Sequence, residues 1–494
     1  MTAKPTGPTL LGLDAGTTGI TAVLYDADLA PLARAYREFP QHFPSPERVE
    51  HHADELLAAV DAVLGEVTAL PAAADLVGIG LTNQRETVFA VERATGRALA
   101  PGIVWQDRRT ADRCRELEAA GELPRVRART GLVLDPYFSG TKVAWLREHV
   151  PAAAGEGVLF ATVDALVLHH LTGTWATDPT NASRTMLYDI DALAWEPDLC
   201  ALFGVSSGEL PEVRPSVGSF GSWCSPVLGR EIPVLGVAGD QQAALFGQGA
   251  WDPGGFKCTF GTGCFLVLNR GAERPPDSTG GLLTTRVLGP GGAPAYGVEG
   301  SVFMAGAVVQ WLRDELDLLD DAAASEALAA SVPDAGGVRL VPAFTGLGAP
   351  HWDPDARGAV LGLSRGSGRA ELVRAALEAI ALQNAELVEL LRAEAGVAVG
   401  EMLVDGGAAA NDLLMQLQAD LAGLVVRRAP AVEATARGAA ALAGLAAGTW
   451  SPDAPPAALA EPGRAFAPGG DEATRAARLE RWRADVALVR AAGR

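Results

Sequence analysis

The feature that most constrains this chain is a pattern that occurs twice. Leu10-Leu11-Gly12-Leu13 is an apolar run of strand character, Asp14 to Gly19 is a Gly/Thr turn, and Ile20 to Tyr25 is a second strand. About half a chain later, Phe256 to Phe260, Gly261-Thr262-Gly263 and Cys264 to Leu268 repeat it. A hairpin repeated at that distance predicts two equivalent halves rather than a short-period solenoid. Length agrees, because 494 residues exceed the ~250–300 at which a single core stops growing. Composition turns to Gly, Pro and Trp over 247–255, so one domain is expected over 1–250 and a second over 251–494. Apolar spacing further predicts a helix over 54–64, a strand over 76–81, and a strand over 87–91 as its neighbour. In the second half, helices are expected over 302–319 and 369–393, a strand over 401–404, and a helix from Asn411. An Arg/Ala helix closes the chain after a Pro/Ala-rich stretch.

Charge and lysine usage narrow the chemistry. Lys plus Arg number 40 against 60 Asp plus Glu, and a net charge of -20 disfavours nucleic acid or an anionic membrane as a partner. The only lysines are Lys4, Lys142 and Lys257, and none follows a glycine, so the phosphate loop GxxxxGK[ST] is absent. The VAIK, HRD and DFG strings of protein kinases are missing too. Five scattered cysteines without a CxxC pair argue against a disulfide framework or structural zinc. Residues 1–13 lack the long apolar region of a signal peptide, and no apolar run reaches the ~20 residues of a membrane span. A soluble protein of a reducing cytoplasm is expected.

What remains for phosphate is the pair of Gly-Thr hairpins. Their backbone N–H groups and threonine hydroxyls could grip phosphate oxygens from two sides, since glycine lets the backbone come close. Asp14, at the first tip, could hold Mg2+ directly or through water. Read alone, each Gly-Thr turn is more often only a turn, and it is two such turns in equivalent halves that shift the balance toward nucleotide binding. Asn83-Gln84-Arg85-Glu86 sets four polar residues between apolar strands, and the pattern alone favours a solvated hairpin end. Gly239-Asp240-Gln241-Gln242 places a carboxylate at the C-terminal end of a strand, where α/β folds bind ligands, although Asp there can also cap a helix. Gln310 on a helix reads by default as a solvated position. Asp405-Gly406-Gly407 before Asn411 fits a plain strand-to-helix turn.

Longer strings add a resemblance. Thr82-Asn83-Gln84-Arg85-Glu86-Thr87, Ile103-Val104-Trp105-Gln106, residues 135–142, Asn181-Ala182-Ser183-Arg184-Thr185-Met186, residues 239–247, Phe303-Met304-Ala305-Gly306-Ala307, residues 342–350 and Val404-Asp405-Gly406-Gly407 occur in order. By these the chain resembles the FGGY carbohydrate kinases, and among them the glycerol kinases. The resemblance implies an α/β protein of two actin-like, ribonuclease-H-like domains, with ATP, Mg2+ and glycerol meeting in the cleft between them. It implies a glycerol site of Arg85, Glu86, Trp105, Tyr137, Asp240, Gln241 and Phe265, with Asp240 as general base. It implies an ATP site of Thr17, Thr18, Gly19, Thr262, Gly306, Gln310, Gly407 and Asn411, with the metal near Asp14. A homo-oligomer, dimer or tetramer, is also implied. Glycerol's three hydroxyls on a short carbon chain suit such a site, with polar groups for the hydroxyls and aromatics over the C–H face.

The chain departs from that family at two places. Ala15, Gly19, Ile20 and Thr21 stand where Gln, Ser, Ser and Arg are familiar, so any contact at Gly19 is through backbone and an arginine contact at Thr21 is missing. The loop 225–231, Ser-Pro-Val-Leu-Gly-Arg-Glu, lacks the lysine-bearing stretch with which some bacterial members bind fructose 1,6-bisphosphate, which predicts insensitivity to that effector. No histidine lies between His170 and His351, so control by histidine phosphorylation in this region is not expected either. An FGGY kinase for another polyol or ketose, such as erythritol, xylulose or gluconate, is the main alternative. A non-catalytic, nucleotide-gated interaction protein would need degraded phosphate or base residues, yet Asp14, Thr18, Asp240 and Thr262 are in place.

Overall fold

The computed structural model describes residues 7–429, 433–460 and 463–492. Two sheets share one strand plan. In the first, β1 (Thr9–Ala15), β2 (Gly19–Tyr25) and β3 (Pro31–Glu38) form an antiparallel meander, and β4 (Leu76–Asn83) then β5 (Arg230–Gly239) add in parallel beyond β1. In the second, β6 (Phe256–Phe260), β7 (Cys264–Gly271) and β8 (Pro294–Val302) take the same antiparallel places, with β9 (Met402–Asp405) and β10 (Val426–Arg428) in parallel beyond β6, while a further strand, Leu283–Leu288, falls between β7 and β8 in the chain and pairs antiparallel on the outer side of β8. Even the sixth strand repeats: Ser222–Ser225 pairs antiparallel with β5, and Arg464–Phe466 does the same with β10. The twice-occurring hairpin therefore opens two copies of one six-strand order, to which the second sheet adds Leu283–Leu288 at its edge.

Strands β1 and β2 are almost wholly buried, as continuous apolar runs covered on both faces should be. Helix α1 (Ala53–Thr68) packs on β2 and β3 through Leu56, Val60, Val63, Leu64 and Val67, a one-sided apolar stripe at helical spacing. Beyond α2 (Val163–Thr172), β5 runs directly into α3 (Asp240–Gly247). In the second half α4 is Gly306–Asp314, the long α5 is Arg369–Glu394 and α6 is Asp412–Ala422, whose N-cap Asn411 accepts from the Leu414 N–H. The Ala-rich α7 (Ala434–Ala446) crosses back and lies on β1, β4 and β5 of the first sheet. Two strand glycines make room for it. A Cβ on Gly12 would stand 2.0 Å from the Ala436 carbonyl oxygen, and one on Gly80 would stand 1.8 Å from that of Ala439. Finally α8 (Glu472–Ala492) buries Leu479, Trp482, Val486 and Val489 against the second domain. No helix among the described residues is long and apolar enough to cross a membrane.

Two expectations need correction. The strand at Val88–Glu92 does not neighbour β4; it pairs with Val158–Thr162 and Ile103 in a separate five-stranded sheet. The chain leaves the first sheet after Asn83, and Glu86, at φ 64°, turns it away. The helix expected over 302–319 is only α4, because β8 continues to Val302 and Asp317, at φ 50°, lies in a left-handed conformation after the helix has ended.

Candidate active site

The tips of the two hairpins face one cleft. A cavity of about 190 Å³ is lined by Arg85, Glu86, Trp105, Tyr137, Asp240, Gln241 and Phe265, together with Thr17, Thr259 and the turn Gly261–Gly263. All seven residues expected for the polyol are thus brought together from both domains. A larger cavity of about 550 Å³ lies beyond the second hairpin, and its walls include Thr262, Gly306, Gln310, Gly407 and Asn411. Gly261 and Thr262 border both cavities, so that one turn separates the two chambers. Thr18 is exposed at the first tip, and Gly19 is buried against the Tyr36 ring; neither lines either cavity.

The run Asn83–Glu86 is buried and not a solvated hairpin end. Asn83 exchanges hydrogen bonds with Asn181, and Gln84 donates to the Gly16 carbonyl, which ties the run to the first hairpin. Arg85 donates from Nη1 and Nη2 to both carboxylate oxygens of Glu299 at 2.7 and 3.0 Å. Its Nε lies 3.3 Å from Asp240 Oδ1 and its Nη2 is 3.4 Å from the Tyr137 hydroxyl. Arg184 bridges the two carboxylates, donating to Glu86 at 2.8 Å and to Glu299 at 2.9 Å. Burial pushes the Glu86 carboxyl upward against the pull of Arg85 and Arg184. For Glu299 burial also acts upward, yet Arg184 and Arg85 outweigh it and hold the carboxyl down at about 2. Four charges of cancelling sign thus form a buried, bidentate cluster at the smaller cavity.

Above that cluster stand the aromatics. Trp105 meets Tyr137 and Phe265 edge to face, at centroid distances of 5.6 and 5.9 Å, and donates from Nε1 to Thr17 Oγ1 at 3.0 Å. Asp240 begins α3, with about a quarter of its side chain exposed to the cleft, and its Oδ1 accepts from the Gln241 N–H at 2.6 Å. Asp14 is more enclosed. Its Oδ2 accepts from Thr435 Oγ1 at 2.6 Å, while Oδ1 is buried without a partner. Burial, then Asp240 and Glu433, raise its carboxyl from 3.8 to about 7.

Several contributors were not foreseen. Lys257 on β6 is fully buried and donates to Gln241 and to Thr259, and burial lowers its ammonium against the opposing pull of Asp405 and Asp240. Asp405 accepts from Gln248 at 3.0 Å and keeps Oδ1 buried without a partner; burial raises its carboxyl. Gln242 accepts from Arg85 Nη1 at 3.3 Å. The signals available were the solitary lysine and glutamate inside the apolar runs Phe256–Phe260 and Pro294–Val302.

Comparison with known proteins bears on this geometry. Residues 9–247 match the model described as the FGGY family of carbohydrate kinases, N-terminal domain, and residues 256–447 match that of the C-terminal domain. A glycerol kinase of Bordetella parapertussis is 50% identical over 491 residues, covering 97% of this chain and 96% of its own length. One of Thermus brockianus is 50% identical over 488 residues, covering 97% of each. The crystal structure of Plasmodium falciparum glycerol kinase with ADP superposes with a TM-score of 0.89 at 32% identity, covering 98% of both chains.

Proposed function

The chain belongs to the FGGY family of carbohydrate kinases, and from that membership we propose that it transfers the γ-phosphoryl group of ATP to glycerol, giving sn-glycerol 3-phosphate and ADP. The observation that carries this reading is the small polar and aromatic cavity whose wall, Gly261–Thr262, is also a wall of the larger one. A compact polyol in the first and a nucleotide in the second would bring a hydroxyl and a terminal phosphate together at that turn. Residues 1–250 then supply most of the polyol side and the first hairpin, and residues 251–494 supply Phe265, the second hairpin and the nucleoside wall, joined by the returning α7.

Each side chain has a task. Arg85, Glu86, Asp240 and the Tyr137 hydroxyl meet the hydroxyls of glycerol, while Trp105 and Phe265 cover its C–H face. A site that leaves such groups unpaired by a wrong substrate discriminates strongly. Asp240 takes the proton from a terminal hydroxyl as that oxygen attacks phosphorus, and Arg85, pinned by Glu299, orients the Asp240 carboxylate. Thr17 and Thr262 with the turn amides grip phosphate oxygens, Thr18 and Gly19 stand at the first tip outside both cavities, and Gly306, Gln310, Gly407 and Asn411 surround the nucleoside. The donor set also fits Mg2+, because Asp14 Oδ1 is a buried carboxylate oxygen without a partner, in a field made more negative by Asp240 and Glu433. Asp14 would hold that ion directly or through water, and Mg2+ when bound neutralises charge on the phosphate oxygens. Lys257 fixes Gln241 at the polyol wall. The cysteines Cys114, Cys200, Cys224, Cys258 and Cys264 are all free thiols, which suits a reducing cytoplasm.

The test is ADP release on adding glycerol to the protein with ATP and Mg2+, with Asp240→Asn as control. Glycerol-dependent release that the variant lacks supports the reading. Release with xylulose, erythritol or gluconate but not with glycerol overturns it.

A further inference from the structure

Away from the cleft, the hairpin of His42–Ser45 and Arg48–His51 runs into the N-terminus of α1. There His42, His52 and Glu55 converge. His42 Nε2 lies 2.7 Å from Glu55 Oε2, the His42 and His52 rings face each other with centroids 4.3 Å apart and planes tilted by 39°, and one donor atom from each residue lies within 4.8 Å of the other two. We propose that these three side chains form a binding site for a borderline divalent metal of the zinc class, separate from the Mg2+ site of the cleft and independent of the reading given to it.

Donor chemistry comes first. Two imidazoles and one carboxylate are the ligand set of an open zinc site, in which a fourth position is left to water or another small ligand. Oxygen-preferring Mg2+ would not select it. Spacing comes second. His52 is the N-cap of α1 and Glu55 stands three residues on, so both project from one face of the first turn, and His42 reaches them from the hairpin opposite. Distance comes third. Metal–ligand bonds of about 2.0–2.2 Å in a tetrahedron place donors roughly 3.3 Å apart, so the triangle needs only small side-chain rotations to close. Access comes fourth: the His42 and Glu55 side chains remain 33% and 29% exposed, which leaves room for entry and for a water ligand.

The neighbouring groups agree. His51 is committed elsewhere, with Nε2 at 2.8 Å from Gln41 Oε1 and its ring edge-on to Phe39, so it does not compete as a ligand. The positive end of α1 opposes a cation, and Asp54 and Glu55 in the first turn offset it. A metal here would clip the hairpin to the helix.

Full-length protein stripped with a chelator would be titrated with Zn2+ by calorimetry and with Co2+ by visible absorption. One zinc per chain should bind in the presence of excess Mg2+, and Co2+ should give a ligand-field spectrum. His42→Gln and His52→Gln, singly and together, should weaken binding by at least ~10- to 100-fold, a scale already reached on removing partners one step outside a metal's ligands. Asp14→Asn should bind zinc as the wild type does. Glycerol-dependent ADP release should be unchanged in the histidine variants, which reports that they fold. Zinc binding that survives in the double variant, that is lost in Asp14→Asn, or that is missing from the wild type overturns the proposal.

Discussion

Glu299→Gln removes one of the two carboxylates from a buried cluster of two arginines and two glutamates, leaving an excess positive charge with almost no access to water. Its size follows from the structure. The carboxyl of Glu299 stands at about 2 instead of its ordinary 4.5, and that difference is worth about 3 kcal/mol. Breaking a buried ion pair by removing one partner costs about 3–5 kcal/mol, so the two figures agree. For a domain of this size the melting temperature should fall by roughly 6–12 °C. Because the carboxyl is depressed in the fold, its stabilisation is complete above pH 4.5 and lost as the pH falls toward 2. The gap between wild type and variant should therefore be wide at neutral pH and narrow through that window. Arg85 would lose one of its two bonds to this residue and the charge that strengthens the other, and kcat/KM for glycerol should fall at least ~10-fold, about 1.4 kcal/mol of transition-state stabilisation. Scanning calorimetry across pH and steady-state kinetics measure both. A melting temperature within about a degree of wild type at neutral pH, or a gap that does not close on acidification, would refute the assignment of Glu299 as the anchor of Arg85.

Other substitutions probe other parts of the site. Asp240→Asn should still bind glycerol, detected by calorimetry, but turn it over at least ~100-fold more slowly, the scale of a lost general base; near-normal turnover removes Asp240 from that role. Asp14→Asn should raise the Mg2+ needed for half-maximal rate at least ~10-fold in a Mg2+ titration at fixed ATP, and an unchanged requirement would place the metal elsewhere. Gly80→Ala forces a Cβ to 1.8 Å from the Ala439 oxygen and should lower the melting temperature by roughly 4–8 °C, at about 2 kcal/mol for overpacking; a neutral effect would mean that α7 is loosely seated. Fructose 1,6-bisphosphate at millimolar concentration should leave the rate unchanged, since the guanidinium of Arg230, the cation of that loop, donates to the Ala74 and Leu76 carbonyls; inhibition would show a phosphate site formed in another way.

The parts of the site that were legible in the sequence are those whose chemistry is local. A Gly-Thr turn between apolar strands declares itself within a dozen residues, and its recurrence at Gly261–Gly263 predicted the shared strand plan. The string Asn83–Glu86 gave its residue types but not its burial, because four polar residues after a strand look alike whether they meet water or partners such as Asn181 and Glu299. Lys257 and Glu299 were silent for a related reason: one charged residue in an apolar strand is also what an edge position shows, and the partner that decides the matter for Glu299 is 214 residues away. The path of α7 was hidden in the same way, since Gly12 and Gly80 pass for ordinary strand glycines until a helix from the other half is laid upon them. These silent features share a consequence. Glu299, Phe265 and Thr435 all come from the second half, and they complete Arg85, Trp105 and Asp14 of the first. A fragment ending near residue 250 would carry most of the polyol residues and still leave Arg85 without its carboxylate anchor and Asp14 without its hydroxyl donor. The duplication supplied two scaffolds, but the site is a property of their contact.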